Sequence, residues 1–313
     1  MSYGGQMIYT VTLNPSIDYV MVIKETKLGE LNRSSRELHQ YGGKGINISV
    51  VLKNLDTPSI CLGVVAGYIG DEIEKGIRNY GCTTDFIHLK EGCTRINVKI
   101  KEAWGRETEM NGNGPNVDED SLQKLIEKIE CLETGDVLIL SGSIPKSVSR
   151  NIYGVLAESL KSKDIRLIVD AEKDLLLPTL TFRPFLVKPN DVELSGILER
   201  KLETEEEILM GARKIRDMGA RNVLVSRGKQ GALFLGENGT EIFLEAPKGT
   251  VVNTVGSGDS MIAGFLSYYE RYMSLTEAAR YAVAAGSAGA FSEELPTKDE
   301  IDPLFENINV RKV

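Results

Sequence analysis

Short apolar runs alternate with longer segments of helical periodicity along most of this chain. The runs are rich in β-branched residues and nearly unbroken, which is typical of strands covered on both faces of a parallel sheet. They span residues 8–13, 60–65, 137–140, 167–169, 185–187 and 223–225. Helical periodicity covers residues 45–55, 71–80, 118–132, 148–161, 205–218, 259–272 and 275–291. This alternation predicts a layered α/β fold with a mostly parallel sheet.

Two segments, residues 18–40 and 94–112, interrupt the alternation. Polar and apolar residues alternate there without an intervening helix, as at Ile96, Val98 and Ile100. A period of two is typical of half-exposed antiparallel strands. We therefore expect a small β-sheet lid beside the main sheet, with two ordinary surface hairpins as the alternative.

The net charge and the start of the chain narrow the classes of function. A formal net charge of −8 argues against non-specific binding of nucleic acid or of anionic membranes, but not against a small anionic substrate. No apolar stretch approaches the roughly 20 residues of a membrane span, and residues 1–6 do not begin a signal peptide. We expect a cytoplasmic protein in which residues 1–6 are a leader.

Cysteine and histidine usage excludes further classes of site. The four cysteines, Cys61, Cys82, Cys93 and Cys131, form no CxxC pair, which favours reduced thiols over a zinc site or a disulfide framework. Because the sequence has only two histidines, a Ser-His-Asp catalytic triad or a metal site built from several histidines is disfavoured.

The strongest candidate for chemistry is the run Gly256-Ser257-Gly258-Asp259 before a segment of helical periodicity. Backbone N–H groups at a helix start are unsatisfied, the helix dipole favours negative charge there, and glycine admits a phosphate close to the backbone. The run is not a Walker A loop, and no GxGxxG follows the first strand, which disfavours a Rossmann dehydrogenase. The alternative role for Asp259 is to cap the helix.

A second glycine cluster, Gly42-Gly43-Lys44-Gly45, precedes Asn47 on a predicted helix. A helix start joined to a lysine suits an anion or the hydroxyls of a sugar. Taken alone, the cluster also fits a flexible turn with a solvated lysine, since glycine pairs are common in turns.

Together with the early run Asn14-Pro15-Ser16-Ile17-Asp18, the two glycine clusters resemble the ribokinase-like (PfkB) carbohydrate kinase family over essentially the whole chain after Met7. Segments 29–33, 94–99 and 108–112 are most similar to the branch that acts on phosphorylated sugars. In many sugar kinases Asp stands at the position of Asn253, whereas the phosphosugar branch usually has Asn.

The resemblance implies a three-layer α/β/α kinase domain over residues 7–313, with a lid formed by about 18–40 and 94–112. It implies ATP and Mg²⁺ as cofactors, a phosphosugar substrate and a homodimer formed through the lid. No nucleic-acid or membrane partner is expected.

For catalysis, the resemblance implies that Asp259 is the base, with the N–H groups of Gly256, Ser257 and Gly258 as an anion hole. The predicted substrate-binding residues are Asp18, Gly42, Gly43, Lys44, Asn47, Arg95, Asn111 and Ser141. Lys44 and Arg95 are predicted to bind the phosphate of the sugar, with Asn111 and, outside this set, Arg33 as weaker candidates. A surface side chain without a ligand is the alternative for each of these four.

For the nucleotide, the pattern Asn190-x-x-Glu193 is predicted to hold Mg²⁺ mostly through water, with a helix cap as the alternative. The predicted nucleotide-binding residues are Lys188, Asn190, Ser226, Gly228, Gly231, Ser257, Gly258 and Ser287. For Ser287, close helix packing is an equal alternative.

The implied reaction is transfer of the ATP γ-phosphoryl group to the C6 hydroxyl of fructose 1-phosphate, giving fructose 1,6-bisphosphate and ADP. Tagatose 6-phosphate is the alternative substrate of the same reaction class. A regulator that binds nucleotide and sugar phosphate without catalysis is the alternative of another class. The intact Asp259 and its glycines disfavour that alternative.

Overall fold

The computed structural model describes residues 6–313, which form two β-sheets of eleven and four strands. In chain order the strands are β1 (Ile8–Thr12), β2 (Ser16–Ile23), β3 (Arg36–Gly42), β4 (Ser59–Ala66), β5 (Thr83–Thr84), β6 (Ile87–Leu89), β7 (Arg95–Glu102), β8 (Glu107–Asn111), β9 (Val137–Ser141), β10 (Arg166–Asp170), β11 (Leu186–Val187), β12 (Asn222–Ser226), β13 (Ala232–Leu235), β14 (Glu241–Leu244) and β15 (Val310–Lys312).

The helices are α1 (Lys44–Asn54), α2 (Gly67–Asn79), α3 (Glu119–Glu130), α4 (Ile152–Ser159), α5 (Lys173–Leu176), α6 (Asp191–Ile197), α7 (Glu205–Asp217), α8 (Ser257–Tyr272), α9 (Leu275–Phe291) and α10 (Lys298–Phe305). Two short 3-10 helices lie at Leu177–Phe182 and Gly228–Gln230.

The main sheet has the strand order β15-β14-β13-β12-β11-β10-β9-β1-β4-β5, and β6 also pairs with β4. From β5 to β12 the neighbouring strands are parallel, whereas β13, β14 and β15 add an antiparallel edge. The mostly parallel sheet predicted from the sequence is confirmed.

The main sheet is covered on both faces, and β9 illustrates how. Leu138 and Leu140 belong to an apolar cluster with residues of α3, α4, α6 and α7. Val137 and Ile139 belong to a second cluster with residues of α1, α8, α9 and α10. Because successive residues of a strand point to opposite faces, an unbroken apolar run packs against both helix layers. This is the three-layer α/β/α architecture that was expected.

The lid is the four-stranded sheet β3-β2-β7-β8. Its outer pairs, β2 with β3 and β7 with β8, are antiparallel, but its central pair, β2 with β7, is parallel. The expectation of antiparallel strands throughout was therefore wrong at the centre. In the chain, β2 follows β1 and β7 follows β6. Because β1 and β6 both run parallel to β4 in the main sheet, β2 and β7 leave that sheet in the same direction.

Several boundaries and elements differ from the sequence analysis. The helix predicted from residue 148 begins at Ile152, and the one predicted from residue 71 begins at Gly67. The antiparallel edge and α10 were not predicted, because their apolar runs are only a few residues long.

Among the described residues, no helix combines the length and the apolarity that crossing a membrane requires. The predicted leader lies outside the described residues except for Gln6. The interpretation of residues 7–313 as one domain stays a prediction.

Candidate functional site

A cleft of about 930 Å³ lies between the lid and the carboxyl ends of the parallel strands. Thr12, Ser141 and Asp170, at the ends of β1, β9 and β10, line it from below. Gly43 and Gly256 bring the starts of α1 and α8 to its sides. Because ligands of open α/β sheets bind outside the carboxyl ends of the strands, this cleft is the candidate active site.

The start of α8 has the features expected of an anion-binding turn. Gly256 precedes the helix with a φ of 79°, a left-handed conformation that favours glycine, and no side chain caps the helix. A Cβ at Gly258 would lie 3.1 Å from the ammonium nitrogen of Lys188, so a larger residue would crowd this lysine. The start of α8 therefore lies at the cleft without a side-chain cap and beside a cation, although the N–H of Ser257 donates to the carbonyl of Thr254 at 3.3 Å.

Asp259 lies in this first turn but does not cap it. Its Oδ2 accepts a hydrogen bond of 2.8 Å from Nδ2 of Asn47 on α1, and the side chain is buried. The capping alternative for Asp259 is therefore wrong. Burial, reinforced by the nearby Asp170 carboxylate, raises the pKa of Asp259 to about 6, although neighbouring ammonium groups oppose the shift. Such a pKa suits a general base near neutral pH.

Asp170 holds two lysines together at the centre of the cleft. Its Oδ1 lies 3.2 Å from Nζ of Lys44 and 3.3 Å from Nζ of Lys188. Burial acts against ionisation, but the two ammonium groups outweigh it and hold the pKa of Asp170 below its usual value. Sequence reasoning missed this residue. The available signal was a carboxylate directly after the predicted strand at 167–169.

The glycines before α1 allow the backbone to pass closely beside the lid. Gly43 has a φ of 132°, and a Cβ at Gly42 would lie 2.9 Å from Oδ1 of Asp18. Lys44 and Asn47 follow on the first turns of the helix, and all of these residues line the cleft. The structure thus brings the second glycine cluster and Asp18 together, as the sequence analysis predicted for a sugar-binding site.

The Asp18 carboxylate on β2 is bonded by three side chains of the lid. Its Oδ1 accepts hydrogen bonds from Ser16 at 2.7 Å and from Asn97 at 2.8 Å. Its Oδ2 lies 3.0 Å from Nζ of Lys99, whose side chain is almost fully buried. Asn97 and Lys99 were not predicted as site residues. Their two-residue spacing on a predicted strand, which puts both on one face, was the signal.

Arg95 lines the cleft, whereas Asn111 lies outside it. The guanidinium of Arg95 donates to the carbonyl of Asn14 at 2.9 and 3.2 Å and to the carbonyl of Gly112 at 3.3 Å. Asn111 is exposed at the end of β8, and its amide lies 3.5 Å from Glu109. Of the four residues predicted to contact the substrate phosphate, Lys44 and Arg95 line the cleft, whereas Asn111 and Arg33 do not.

Asn190 and Glu193 form a capping box at the start of α6. Oδ1 of Asn190 accepts from the backbone N–H of Glu193 at 2.7 Å, and Oε2 of Glu193 accepts from that of Asn190 at 2.8 Å. The helix-cap alternative is therefore present. The other carboxylate oxygen, Oε1 of Glu193, lies 4.0 Å from Nζ of Lys44, and both capping residues line the cleft.

The remaining residues predicted for the nucleotide divide into two groups. Lys188 and Ser226 line the cleft. The others lie beside it or deeper: Gly228 and Gly231 in the turn between β12 and β13, Ser257 at the start of α8 with its hydroxyl buried, and Ser287 buried on α9.

Comparison with known proteins assigns the chain that forms this cleft to a family. Residues 11–295 match the model of the pfkB family carbohydrate kinases. A 1-phosphofructokinase from Bacillus subtilis is 41% identical over 307 residues, which cover 98% of this chain and 100% of that protein. A D-tagatose-1-phosphate kinase from Bacillus licheniformis is 39% identical over 305 residues, which cover 97% of this chain and 99% of that protein.

Solved structures agree with this assignment. Phosphofructokinase-2 from Escherichia coli in complex with fructose-6-phosphate has a TM-score of 0.89 and 28% identity, covering 97% of this chain and 99% of that chain. Arabidopsis thaliana ribokinase complexed with ribose and ATP has a TM-score of 0.78 at 21% identity, covering 96% and 98%, and shows that the fold is ribokinase-like. The chain therefore belongs to the pfkB family of carbohydrate kinases.

Proposed function

We propose that the protein transfers the γ-phosphoryl group of ATP to the C6 hydroxyl of fructose 1-phosphate, giving fructose 1,6-bisphosphate and ADP. The observation that carries the proposal is the buried Asp259, held by Asn47 at the uncapped start of α8 within the cleft. The similarity to 1-phosphofructokinase along nearly the whole chain supports the choice of sugar phosphate.

In this mechanism Asp259 accepts the proton of the C6 hydroxyl as the sugar oxygen bonds to the γ-phosphorus. The bond between that phosphorus and the β–γ bridging oxygen breaks, and ADP leaves with the electron pair. With a pKa of about 6, Asp259 is mostly ionised at neutral pH and ready to act. Negative charge on the transferring group is offset by the N–H groups of the α8 start and by Lys44 and Lys188.

The lid supplies the binding of the sugar phosphate. The carboxylate of Asp18 accepts hydrogen bonds from sugar hydroxyls, and its three lid partners hold it in one orientation. Arg95 binds the phosphate on C1 through its forked donors, next to the carbonyls that it already holds.

The residues at the start of α6 fit a magnesium ion that is bound with ATP. Asn190 and Oε1 of Glu193 would hold Mg²⁺ through water, because one oxygen of Glu193 is free of the capping box and the residue lines the cleft. Mg²⁺ keeps most of its hydration shell in such sites, so it needs few direct protein ligands. When bound, Mg²⁺ neutralises charge on the phosphates.

D-Tagatose 1-phosphate is the second candidate substrate, since a relative of similar identity is named for it. Tagatose and fructose differ only in the configuration at C4, so the choice depends on the hydrogen bonds to one hydroxyl. Tagatose 6-phosphate stays the alternative predicted from the sequence.

A coupled assay of ADP release tests the proposal with ATP and four acceptors offered separately: fructose 1-phosphate, D-tagatose 1-phosphate, tagatose 6-phosphate and fructose 6-phosphate. We expect the highest kcat/KM on fructose 1-phosphate. A higher kcat/KM on any other acceptor would overturn the choice of sugar. Binding of ATP and sugar phosphate without turnover in the presence of Mg²⁺ would favour the non-catalytic regulator.

A cytoplasmic location stays a prediction. We also infer a homodimer formed through the outer face of the lid, the face that carries Ile96 and Met110. Ile96 and Met110 are exposed on lid strands although both are apolar, and Val98 pairs with Met110 across β7 and β8. An apolar sheet face of this kind is stabilised by a cover. Analytical ultracentrifugation should give the mass of a dimer, and Ile96→Glu should shift it toward the monomer. A monomeric wild-type protein would refute the dimer.

A further inference from the structure

Two arginines, a glutamate and a phenylalanine form a cluster behind the turn between β12 and β13. Nη1 of Arg227 donates to Glu205 at 2.9 Å, and the second oxygen of Glu205 pairs with Arg311. The guanidinium carbons of Arg227 and Arg311 lie 5.4 and 4.6 Å from the ring centroid of Phe243. The cluster therefore joins the turn to the start of α7, to β14 and to the C-terminal strand β15.

Arg227 is the buried member of this cluster. Its side chain is 4% exposed, compared with 40% for Glu205 and 54% for Arg311. A buried guanidinium is unfavourable unless its charge is paired, and here Glu205 supplies the opposite charge while the ring of Phe243 adds a cation–π contact. Arg311 binds the other oxygen of the same glutamate, Oε2, and so helps to hold the carboxylate that pairs with Arg227.

The backbone of the turn depends on Arg227 as well. Its N–H donates to the carbonyl of Gly231 at 2.8 Å, and its Nη2 donates to Oε1 of Gln230 at 3.2 Å. The preceding residue, Ser226, lines the cleft, and its N–H donates to the carbonyl of Pro189 at 3.0 Å. A displaced Arg227 would therefore move the cleft-facing end of the turn.

We propose that Glu205 and Arg311 are positioning residues for ATP, which act through Arg227 on the turn at residues 226–231. The inference rests on the proposed function, in which ATP binds in the cleft, and on the prediction that Ser226, Gly228 and Gly231 bind the nucleotide; of these, Ser226 lines the cleft. The C-terminal strand β15 thus contributes to nucleotide affinity although it lies outside the cleft. The sugar phosphate, bound at the lid, does not contact this turn and is not affected.

Arg311→Ala is the first variant to test, because this side chain is half exposed and its removal leaves Arg227 paired with Glu205. Arg221→Ala is a matched control at the other end of the same hairpin. Arg221 pairs with Glu237 at 2.7 Å and lies 5.3 Å from the ring centroid of Phe185. Neither Arg221 nor Glu237 lines the cleft.

Calorimetric titration with Mg²⁺ and AMP-PNP, an ATP analogue that is not hydrolysed, measures nucleotide affinity without sugar phosphate. We expect Arg311→Ala to weaken affinity by about two- to five-fold, the range that corresponds to an exposed ion pair. KM for ATP should rise equally, with KM for the sugar phosphate and kcat unchanged. Arg227→Met should weaken affinity more, by roughly ten-fold, because it removes the buried partner.

The inference fails if Arg311→Ala and Arg221→Ala have the same effect on nucleotide affinity, or if KM for the sugar phosphate rises as well. It also fails if Arg227→Met folds, as judged by its Tm, and binds AMP-PNP like the wild type. The titration remains decisive if the wild type does not phosphorylate fructose 1-phosphate. In that case the proposed function fails, and the nucleotide arm still decides the role of the cluster.

Discussion

Two buried aspartates face the same cleft from opposite sides and have contrasting surroundings. The carboxylate of Asp18, in the lid, is bonded by Ser16, Asn97 and Lys99. Within residues 6–313, the carboxylate of Asp259 receives one side-chain hydrogen bond, from Asn47. The carboxylate of Asp18 is thus held by several donors, whereas Asp259 keeps one oxygen, Oδ1, without a side-chain hydrogen bond from the described residues.

The difference separates a binding role from a proton-accepting role. Several donors fix the orientation of the Asp18 carboxylate, which suits a group that accepts hydrogen bonds from a sugar. Asp259 has one such donor, and burial raises its pKa to about 6. The two aspartates are therefore not interchangeable, and the same substitution at each should have different kinetic effects.

The largest effect is expected for Asp259→Asn. An asparagine keeps the shape and the contact with Asn47 but cannot accept the hydroxyl proton, so we expect kcat to fall by about 10³-fold. Calorimetric titration with fructose 1-phosphate should still detect binding close to that of the wild type. Turnover within ten-fold of the wild type, measured by ADP release, would remove Asp259 as the base.

Asp18→Asn makes the same chemical change on the other side of the cleft. Here we expect KM for fructose 1-phosphate to rise by about 10- to 100-fold, the effect of losing a hydrogen bond to a charged group, with a smaller loss in kcat. Glu109→Gln is a control, since Glu109 also faces Lys99, at 3.6 Å, but lies outside the cleft. A loss confined to kcat would contradict the binding role.

Much of the fold was predictable because local patterns determine it. The unbroken run at 137–140 packs on both faces and could be identified as a buried parallel strand without tertiary information. The short edge strands β13 to β15 carry too few residues for a period to emerge. The parallel pairing of β2 with β7 depends on where two distant strands leave the main sheet, which local alternation does not encode.

For the site, the sequence identified residues that belong to glycine runs before predicted helices and missed those whose role comes from contacts. Gly42, Gly256 and Asp259 belong to recognisable runs, and all three line the cleft. Asp170 ends a strand like many aspartates, and only its distances to two lysines distinguish it. The carbonyls that Arg95 holds come from loops far apart in the sequence, so no local pattern foretells them.

The pH dependence of activity sharpens the contrast between the two carboxylates. Because the pKa of Asp259 is raised to about 6, its basic form is lost as the pH falls through that value. We expect kcat/KM to be level above pH 7 and to fall by about ten-fold between pH 7 and pH 5. In Asp259→Asn the residual rate should lack this step, whereas Asp18→Asn should retain it. A wild-type profile that is flat from pH 5 to pH 7 would contradict the assignment.

The smallest effect is expected for Arg95→Ala, which tests whether the lid binds the phosphate of the sugar. The guanidinium already donates to the carbonyls of Asn14 and Gly112, so a phosphate would be one of several partners, and KM for fructose 1-phosphate should rise by roughly five-fold.

If the role of Arg95 is purely structural, Arg95→Ala should lower kcat/KM for phosphorylated and unphosphorylated sugars alike. The ratio of kcat/KM for fructose 1-phosphate to that for fructose separates the two roles, because only loss of a phosphate contact lowers this ratio. Arg33→Ala, which removes an exposed arginine outside the cleft, should leave the ratio unchanged. If Arg95→Ala also leaves the ratio unchanged, the phosphate of the sugar binds elsewhere. The lid then binds the sugar only through the hydroxyl contacts of Asp18.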